Sequence, residues 1–285
     1  MQVISFINMK GGVAKTTLCI NVADFLARRK QKRVLVVDID PQFNATQCLL
    51  SPTAYEKKLQ AGQKSIVDVF DANAYPAVGA VSGAKTIQPT SLDDIKPIAI
   101  RTNFDLLPGN LNLYKLQMAA GGGTEHRLKK FLNLPMISAA YDYILIDTPP
   151  TPSVWMSSAL LASDHYLIPV KPDPISFTGI DLLKRVVDDV TENYGTNLKC
   201  AGLVLTMAET NTIVYKACHS YLSKNDYWKE FLYKSNIRKA TVVAGKQASQ
   251  ELILDTNDSD LKFDLASIVN ELEQRLIAPK KKAKK

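Results

Sequence analysis

Five short apolar runs, each separated from the next by a helical pattern or a turn-rich stretch, constrain this chain more than any single motif. They are QVISFIN (residues 2–8), RVLVVDID (33–40), DYILID (142–147), DHYLIPV (164–170) and CAGLVLTM (200–207). None alternates cleanly between apolar and polar residues, so each reads as a strand buried on both faces. Between them, TTLCINVADFLARRK spaces Leu18, Val22, Phe25 and Leu26 as one helical face and ends in basic residues suited to a helix C-terminus. SSALLAS and GIDLLKRVVDDVTENY read as further helices. Strands alternating with helices predict an α/β fold, with a single doubly wound, mostly parallel sheet flanked by helices.

A chain of 285 residues with 46% hydrophobic residues fills one large α/β domain, expected here over residues 1–278. Residues from about 72 to 101 are dominated by Pro, Gly, Ala, Ser and Thr, and read as an irregular surface insertion. AAGGGTEHRL supplies a hinge before another helix. Residues 279–285 form a basic tail with nothing to bury, expected to be disordered. The net charge is +7, but Lys280, Lys281, Lys282, Lys284 and Lys285 supply five of those charges and leave +2 elsewhere. Overall basicity therefore says little about a polyanionic partner. Cys19, Cys48, Cys200 and Cys218 are scattered without zinc-ligand spacing, as expected of reduced thiols. No secretory segment opens the chain, and the apolar runs are too short to span a bilayer. The expectation is a cytoplasmic protein.

The stretch INMKGGVAKTT, Ile7 to Thr17, follows the first strand and opens the first helix. Against the phosphate-loop pattern G-x-x-x-x-G-K-[ST], Met9 and Ala14 occupy the two glycine positions, while Lys15 and Thr16 match. Gly11 and Gly12 still allow the loop to turn its N–H groups inward, and the helix that follows directs its positive end to the same place. Lys15 can neutralise phosphate oxygens, and Thr16 can offer its hydroxyl to Mg²⁺. A glycine turn with incidental lysines is the plainer reading of GG alone. Strand, loop, Lys-Thr-Thr and helix in this order, followed by acidic partners, argue against it. Those partners are Asp38, Asp40 and Asp147, each at the C-terminal end of a predicted parallel strand, the edge where such sheets bind ligands. Asp147 suits the Mg²⁺ hydration shell. Asp38 and Asp40 flank Ile39, so one can serve the metal while the other orients or deprotonates the attacking water.

KGGVAKTT, VVDIDPQFNAT, YDYILIDTPPTPSVWMSSALLASDHYLIPV and LVLTM together resemble the deviant Walker ATPases of the ParA/MinD class, most closely its partition members. The resemblance runs in order from Met1 to about Leu276 and is weakest through the insertion. It implies that Lys10 is a signature lysine reaching across an ATP-sandwiched homodimer, so that catalysis rests on Lys10, Lys15 and Asp40. It implies nucleotide contacts from Lys10, Gly11, Gly12, Val13, Ala14, Lys15, Thr16 and Thr17. Thr206, Met207, Ile237 and Arg238 fall where the family lines its adenine pocket, and Thr16, Asp38 and Asp147 where it holds the metal. PQFNAT and DTPPTPS fall on its two switch loops. ATP and Mg²⁺ are the implied cofactors. Where the family has Gly, this chain has Ala14, which adds a methyl group at a close approach to phosphate.

Partition members bind DNA without sequence preference. The local candidates are Arg238, Lys239, Lys246 and Lys216, diluted by nearby acidic residues. The expected cycle is an ATP-state dimer on the nucleoid, a ParB-like centromere-binding or adaptor protein that stimulates hydrolysis, and movement of a plasmid or chromosome. Positioning of a non-DNA cargo is the first alternative. With a first strand at about residue 2, no helix-turn-helix is expected ahead of the nucleotide fold. A MinD-like membrane regulator is the second alternative, resting on FDLASIVNELEQRL. That helix aligns Leu265, Ile268, Val269, Leu272 and Leu276 but carries Asp264, Glu271 and Glu273 on its polar side, where a bilayer-seeking helix carries Lys or Arg. It is expected to pack on the sheet domain. A cluster-bridging reductase is disfavoured because nothing comparable to Cys48 follows the second switch, and an acceptor pocket for a ligase is not legible.

Overall fold

A computed structural model describes residues 1–71, 91–119, 123–173, 176–247 and 249–277. Seven strands form one sheet: β1 (Gln2–Phe6), β2 (Val34–Asp38), β3 (Ile98–Arg101), β4 (Phe104–Leu107), β5 (Tyr143–Asp147), β6 (His165–Val170) and β7 (Lys199–Leu205). Their order is β3-β4-β2-β5-β1-β6-β7, and every pairing is parallel except β3 with β4. The five expected strands are all present, and so is the doubly wound arrangement.

The sheet's position in the core follows from strand periodicity. In β2, Val34 and Val36 enter one apolar cluster, whereas Leu35 and Val37 enter another on the opposite face. The helices α1 (Lys15–Lys30) and α12 (Ser259–Ile277) cover the first face. The second is covered by α4 (Ile66–Phe70), α6 (Arg127–Leu132) and α8 (Val154–Ala162). A third cluster under β6 and β7 receives α9 (Ser176–Tyr194) and α10 (Ile213–Lys224). The remaining helices are α2 (Asn44–Leu49), α3 (Pro52–Gln60), α5 (Leu113–Ala119), α7 (Pro135–Ser138) and α11 (Thr241–Gln247). On α12, Leu265, Ile268, Val269 and Leu272 are buried and Leu276 packs beside them, so the stripe read from the sequence faces the protein's own core. No helix among the described residues is long and apolar enough to cross a membrane.

The segment read as irregular to residue 101 is corrected at its C-terminal end. Ile98–Arg101 is strand β3, which turns through Thr102 and Asn103 into β4. Asn103 takes a left-handed φ of 62°, which its short polar side chain tolerates. Residues 72–90 of the expected insertion and the tail 279–285 lie outside the described residues.

Candidate nucleotide and cation site

The loop between β1 and α1 is pinned at both ends. At its base, Ile7 N–H donates to Leu167 O (3.0 Å), and the buried Asn8 amide donates to Pro169 O (2.7 Å) while accepting from Lys10 N–H (2.9 Å). Just past the end of β7, Thr206 Oγ1 donates to Val13 O at 2.8 Å. Gly12 has φ 69° and Ala14 φ 60° with ψ 33°, so the loop takes two left-handed turns before α1 begins at Lys15. Glycine adopts that conformation freely, whereas alanine is strained there by about 1–2 kcal/mol.

Lys15 is buried and reaches Lys10 O at 3.3 Å. Burial lowers its pKa, opposed by the nearby carboxylates of Asp147 and Asp40. Thr16 Oγ1 donates to Asp147 Oδ2 at 2.7 Å, which leaves the hydroxyl lone pairs free for a further partner. Asp38 and Asp147 are register partners across β2 and β5, and neither side is exposed to solvent. Asp38 Oδ2 accepts from Thr46 N–H (2.8 Å) and Thr46 Oγ1 (2.7 Å). Asp38 Oδ1 and Asp147 Oδ1 are buried without any hydrogen-bond partner. Burial raises both acids, and the charge of Asp147 pushes Asp38 further; Asp147 rises to about 7. Two buried carboxylates with donorless oxygens are costly unless a cation joins them. With the Thr16 hydroxyl alongside, the donor set is all oxygen, which fits Mg²⁺.

Asp40 lies just past the end of β2, buried, with its carboxylate accepting from Gln42 N–H at 2.9 Å. Burial raises its pKa, offset by that hydrogen bond and by Lys15. It borders two spaces. One is a cradle of about 270 Å³ lined by Gly11 to Thr17 together with Gln42, Asn44 and Pro150. The other is a groove of about 460 Å³ between the segment at Pro41 and Gln42, the segment from Pro149 to Ser153, and α5, walled by Tyr114, Met118, Pro149 and Trp155. A third space, an apolar slot of about 250 Å³, shares Gly12, Ala14 and Thr17 with the cradle and is lined by Met207, Ile237, Arg238, Val243 and Leu261. A polar cradle that opens into an apolar slot has the shape and polarity of a phosphate chain leading to a base.

The expected residues divide. Gly11, Gly12, Val13, Ala14, Lys15, Thr16, Thr17 and Asp40 share the cradle, and Asp38 and Asp147 lie beneath it. Met207, Ile237 and Arg238 line the slot, whereas Thr206 is fully buried and supports the loop through Val13. Lys10 is not in its own cradle; its ammonium is ion-paired with Asp173, and the side chain is 41% exposed.

The basic candidates do not form a free patch. Arg238 donates to Asp264 (2.7 Å) and Asp260 (2.8 Å), Lys239 pairs with Glu209 (3.0 Å), and Lys246 pairs with Glu251 (2.7 Å). Lys216 is exposed on α10. Asn8, Thr46, Gly109 and Asp173, which act on the site from separate segments, are not legible in the sequence as site residues; only the glycine two residues past β4, in LLPGN, leaves a visible signal.

Residues 1–200 match the family model described as an AAA domain. The sporulation initiation inhibitor protein Soj of Bacillus subtilis is 32% identical over 238 residues, covering 83% of each chain. Among solved structures, a plasmid partition protein from Borrelia burgdorferi superposes with a TM-score of 0.71 at 23% identity, over 96% of this chain and 98% of that one. The cobyrinic acid a,c-diamide synthase of Mycobacterium smegmatis, with bound ATP analogue and magnesium, superposes with a TM-score of 0.73 at 21% identity, over 99% and 98%. Loop, carboxylate pair, sheet order and these matches agree: the chain belongs to the ParA/MinD class of P-loop ATPases and is related to the partition proteins.

Proposed function

We propose that this chain is an ATP- and Mg²⁺-dependent switch that dimerises around its nucleotide, binds DNA without sequence preference in the ATP state, and hydrolyses ATP slowly until a partner accelerates it. The observation that carries this reading is the separation of the two loop lysines. Lys15 is buried in its own cradle, whereas Lys10 lies outside it, half-exposed and held by a carboxylate. A cation outside its own phosphate site suits a role at another protomer's, as an arginine finger does. The phosphate chain would lie along the loop N–H groups and Lys15, the base in the slot of Met207 and Ile237, and Mg²⁺ against Thr16, Asp38 and Asp147. Mg²⁺ supplies charge neutralisation on the phosphate oxygens. Asp40, between cradle and groove, orients and deprotonates water.

The cargo is a plasmid or chromosome, engaged through a ParB-like centromere-binding or adaptor protein, and the working place is the nucleoid in the cytoplasm. Kinship with a chromosome partitioning protein of Myxococcus xanthus and likeness to the Borrelia plasmid partition protein support this assignment. DNA contact falls to Lys216 and to Lys239 and Lys246, whose exposed ion pairs are each worth about 0–1 kcal/mol and yield readily to phosphates. Arg238 bridges the base slot to α12. The test is retention of random duplex DNA with ATP, ADP or no nucleotide at 50 and 200 mM salt. Retention that requires ATP and falls steeply with salt is expected; retention indifferent to both contradicts the DNA assignment.

A further inference from the structure

Asp38 is held by residues that no phosphate-loop pattern includes. Thr46 Oγ1 accepts from Gly109 N–H at 2.8 Å, so the hydroxyl hydrogen is directed to its other neighbour, Asp38 Oδ2 at 2.7 Å. Thr46 N–H adds a second bond to the same oxygen at 2.8 Å. Both donors therefore fall on Oδ2, and Oδ1 is left unpartnered on a residue whose register partner across the sheet is Asp147. Gly109 is held on its other side as well, because Tyr55 OH donates to Gly109 O at 2.5 Å. Position 109 has no room for a side chain. A Cβ there would lie 2.8 Å from Asp38 Cγ, 2.9 Å from Asp38 Oδ2 and 2.6 Å from Phe43 Cβ.

The blander account is that Asp38 merely caps α2 through the Thr46 N–H. It explains one of the two bonds to Oδ2. It explains neither the hydroxyl bond, nor the anchoring of that hydroxyl from Gly109, nor the backbone brought so close to the carboxylate that only glycine fits. A carboxylate whose orientation is fixed by outer hydrogen bonds is how proteins prepare a cation ligand, and loss of such a partner weakens metal affinity by about 10- to 100-fold.

We propose that Thr46 and Gly109 are positioning residues for the cation site, holding Asp38 so that Oδ1 faces the ion and Oδ2 does not. The proposal rests on the reading of Asp38 and Asp147 as the cation site. The experiment is an electron paramagnetic resonance titration of Mn²⁺ into the full chain with ADP present, alongside ADP affinity without metal and a far-UV circular dichroism melt. Thr46→Val keeps the shape and removes the hydroxyl, Thr46→Ser restores it, and Gly109→Ala inserts the clashing Cβ. We expect Thr46→Val and Gly109→Ala to weaken Mn²⁺ binding by about tenfold or more, and Thr46→Ser to stay within about threefold of the natural protein. Metal-free ADP affinity should hold in all three, which a general loosening of the fold would not allow. Unchanged Mn²⁺ affinity in whichever of Thr46→Val and Gly109→Ala melts as a folded protein overturns the proposal. Absence of Mn²⁺ binding by the natural protein overturns the cation site and this proposal together.

Discussion

Two charged regions of this molecule lie within reach of the same slot and are built on opposite principles. At the cradle, Lys15, Asp38, Asp40 and Asp147 are buried, and two carboxylate oxygens have no donor. At the corner where the Arg238 loop meets α12, Arg238 is half-exposed, and its guanidinium is answered by Asp260 and Asp264. The corner is complete without a ligand, whereas the cradle is complete only with one. Unmet charge, rather than abundance of charge, marks where a ligand binds.

The largest effect expected from this contrast is at Lys15. Lys15→Ala should lower ATP affinity by at least about 100-fold, roughly 2.7 kcal/mol, because a desolvated ammonium is lost from a site designed for anions; fluorescent nucleotide titration measures it. An effect below threefold would place the phosphates elsewhere.

Next is a change of sign between the two regions. Asp147→Asn removes one of two crowded buried acids, so the nucleotide-free protein should gain on the order of 2 kcal/mol at pH 8 and lose Mg²⁺-dependent stabilisation. Asp264→Asn, in the satisfied corner, should cost less than about 1 kcal/mol. The pH profile of the nucleotide-free protein follows the same logic. Asp38 and Asp147 titrate near the ordinary carboxylate value when unfolded and higher when folded, Asp147 at about 7. The folded state therefore binds more protons in that interval, and this contribution to stability is full below about pH 4 and is lost as pH rises through the folded values. Thermal melts at pH 5 and pH 8, in the natural protein and in Asp147→Asn, should show the loss in the former and a smaller one in the latter. Equal slopes would separate the pair from the pH response.

The smallest effect is at Ala14. Ala14→Gly relieves the left-handed strain but adds chain entropy to the unfolded state, for a net gain of about 0.5–1 kcal/mol. Denaturant melts resolve that shift, and a loss of stability would show that the methyl group packs usefully.

The sequence disclosed the cradle and not the corner because their causes differ in range. Lys15, Thr16 and the glycines act through one turn of chain, and strands such as YILID are apolar up to a closing Asp147 because helices cover both faces. The strands β3 and β4 escaped notice because IAIR and FDLL are four residues long and carry charge at the sheet margin. Arg238 reads as a DNA candidate because a linear reading counts lysines and arginines, and the fold adds Asp260 and Asp264, which reach it from a helix more than twenty residues on. Thr206 was expected against the base, yet its hydroxyl turns to Val13 because buried hydroxyls seek a nearby carbonyl. The Thr46 and Gly109 contacts join three segments that only the fold brings together.

The proposed switch requires that nucleotide bound at this edge be completed by a second protomer through Lys10. Sedimentation velocity of the natural chain and of Lys10→Ala, each with a non-hydrolysable ATP analogue and Mg²⁺, decides whether it is. The natural chain should move from monomer to dimer on adding nucleotide, and Lys10→Ala should bind the analogue and remain a monomer. A natural chain that stays monomeric when saturated, or a Lys10→Ala variant that dimerises equally well, would contradict it.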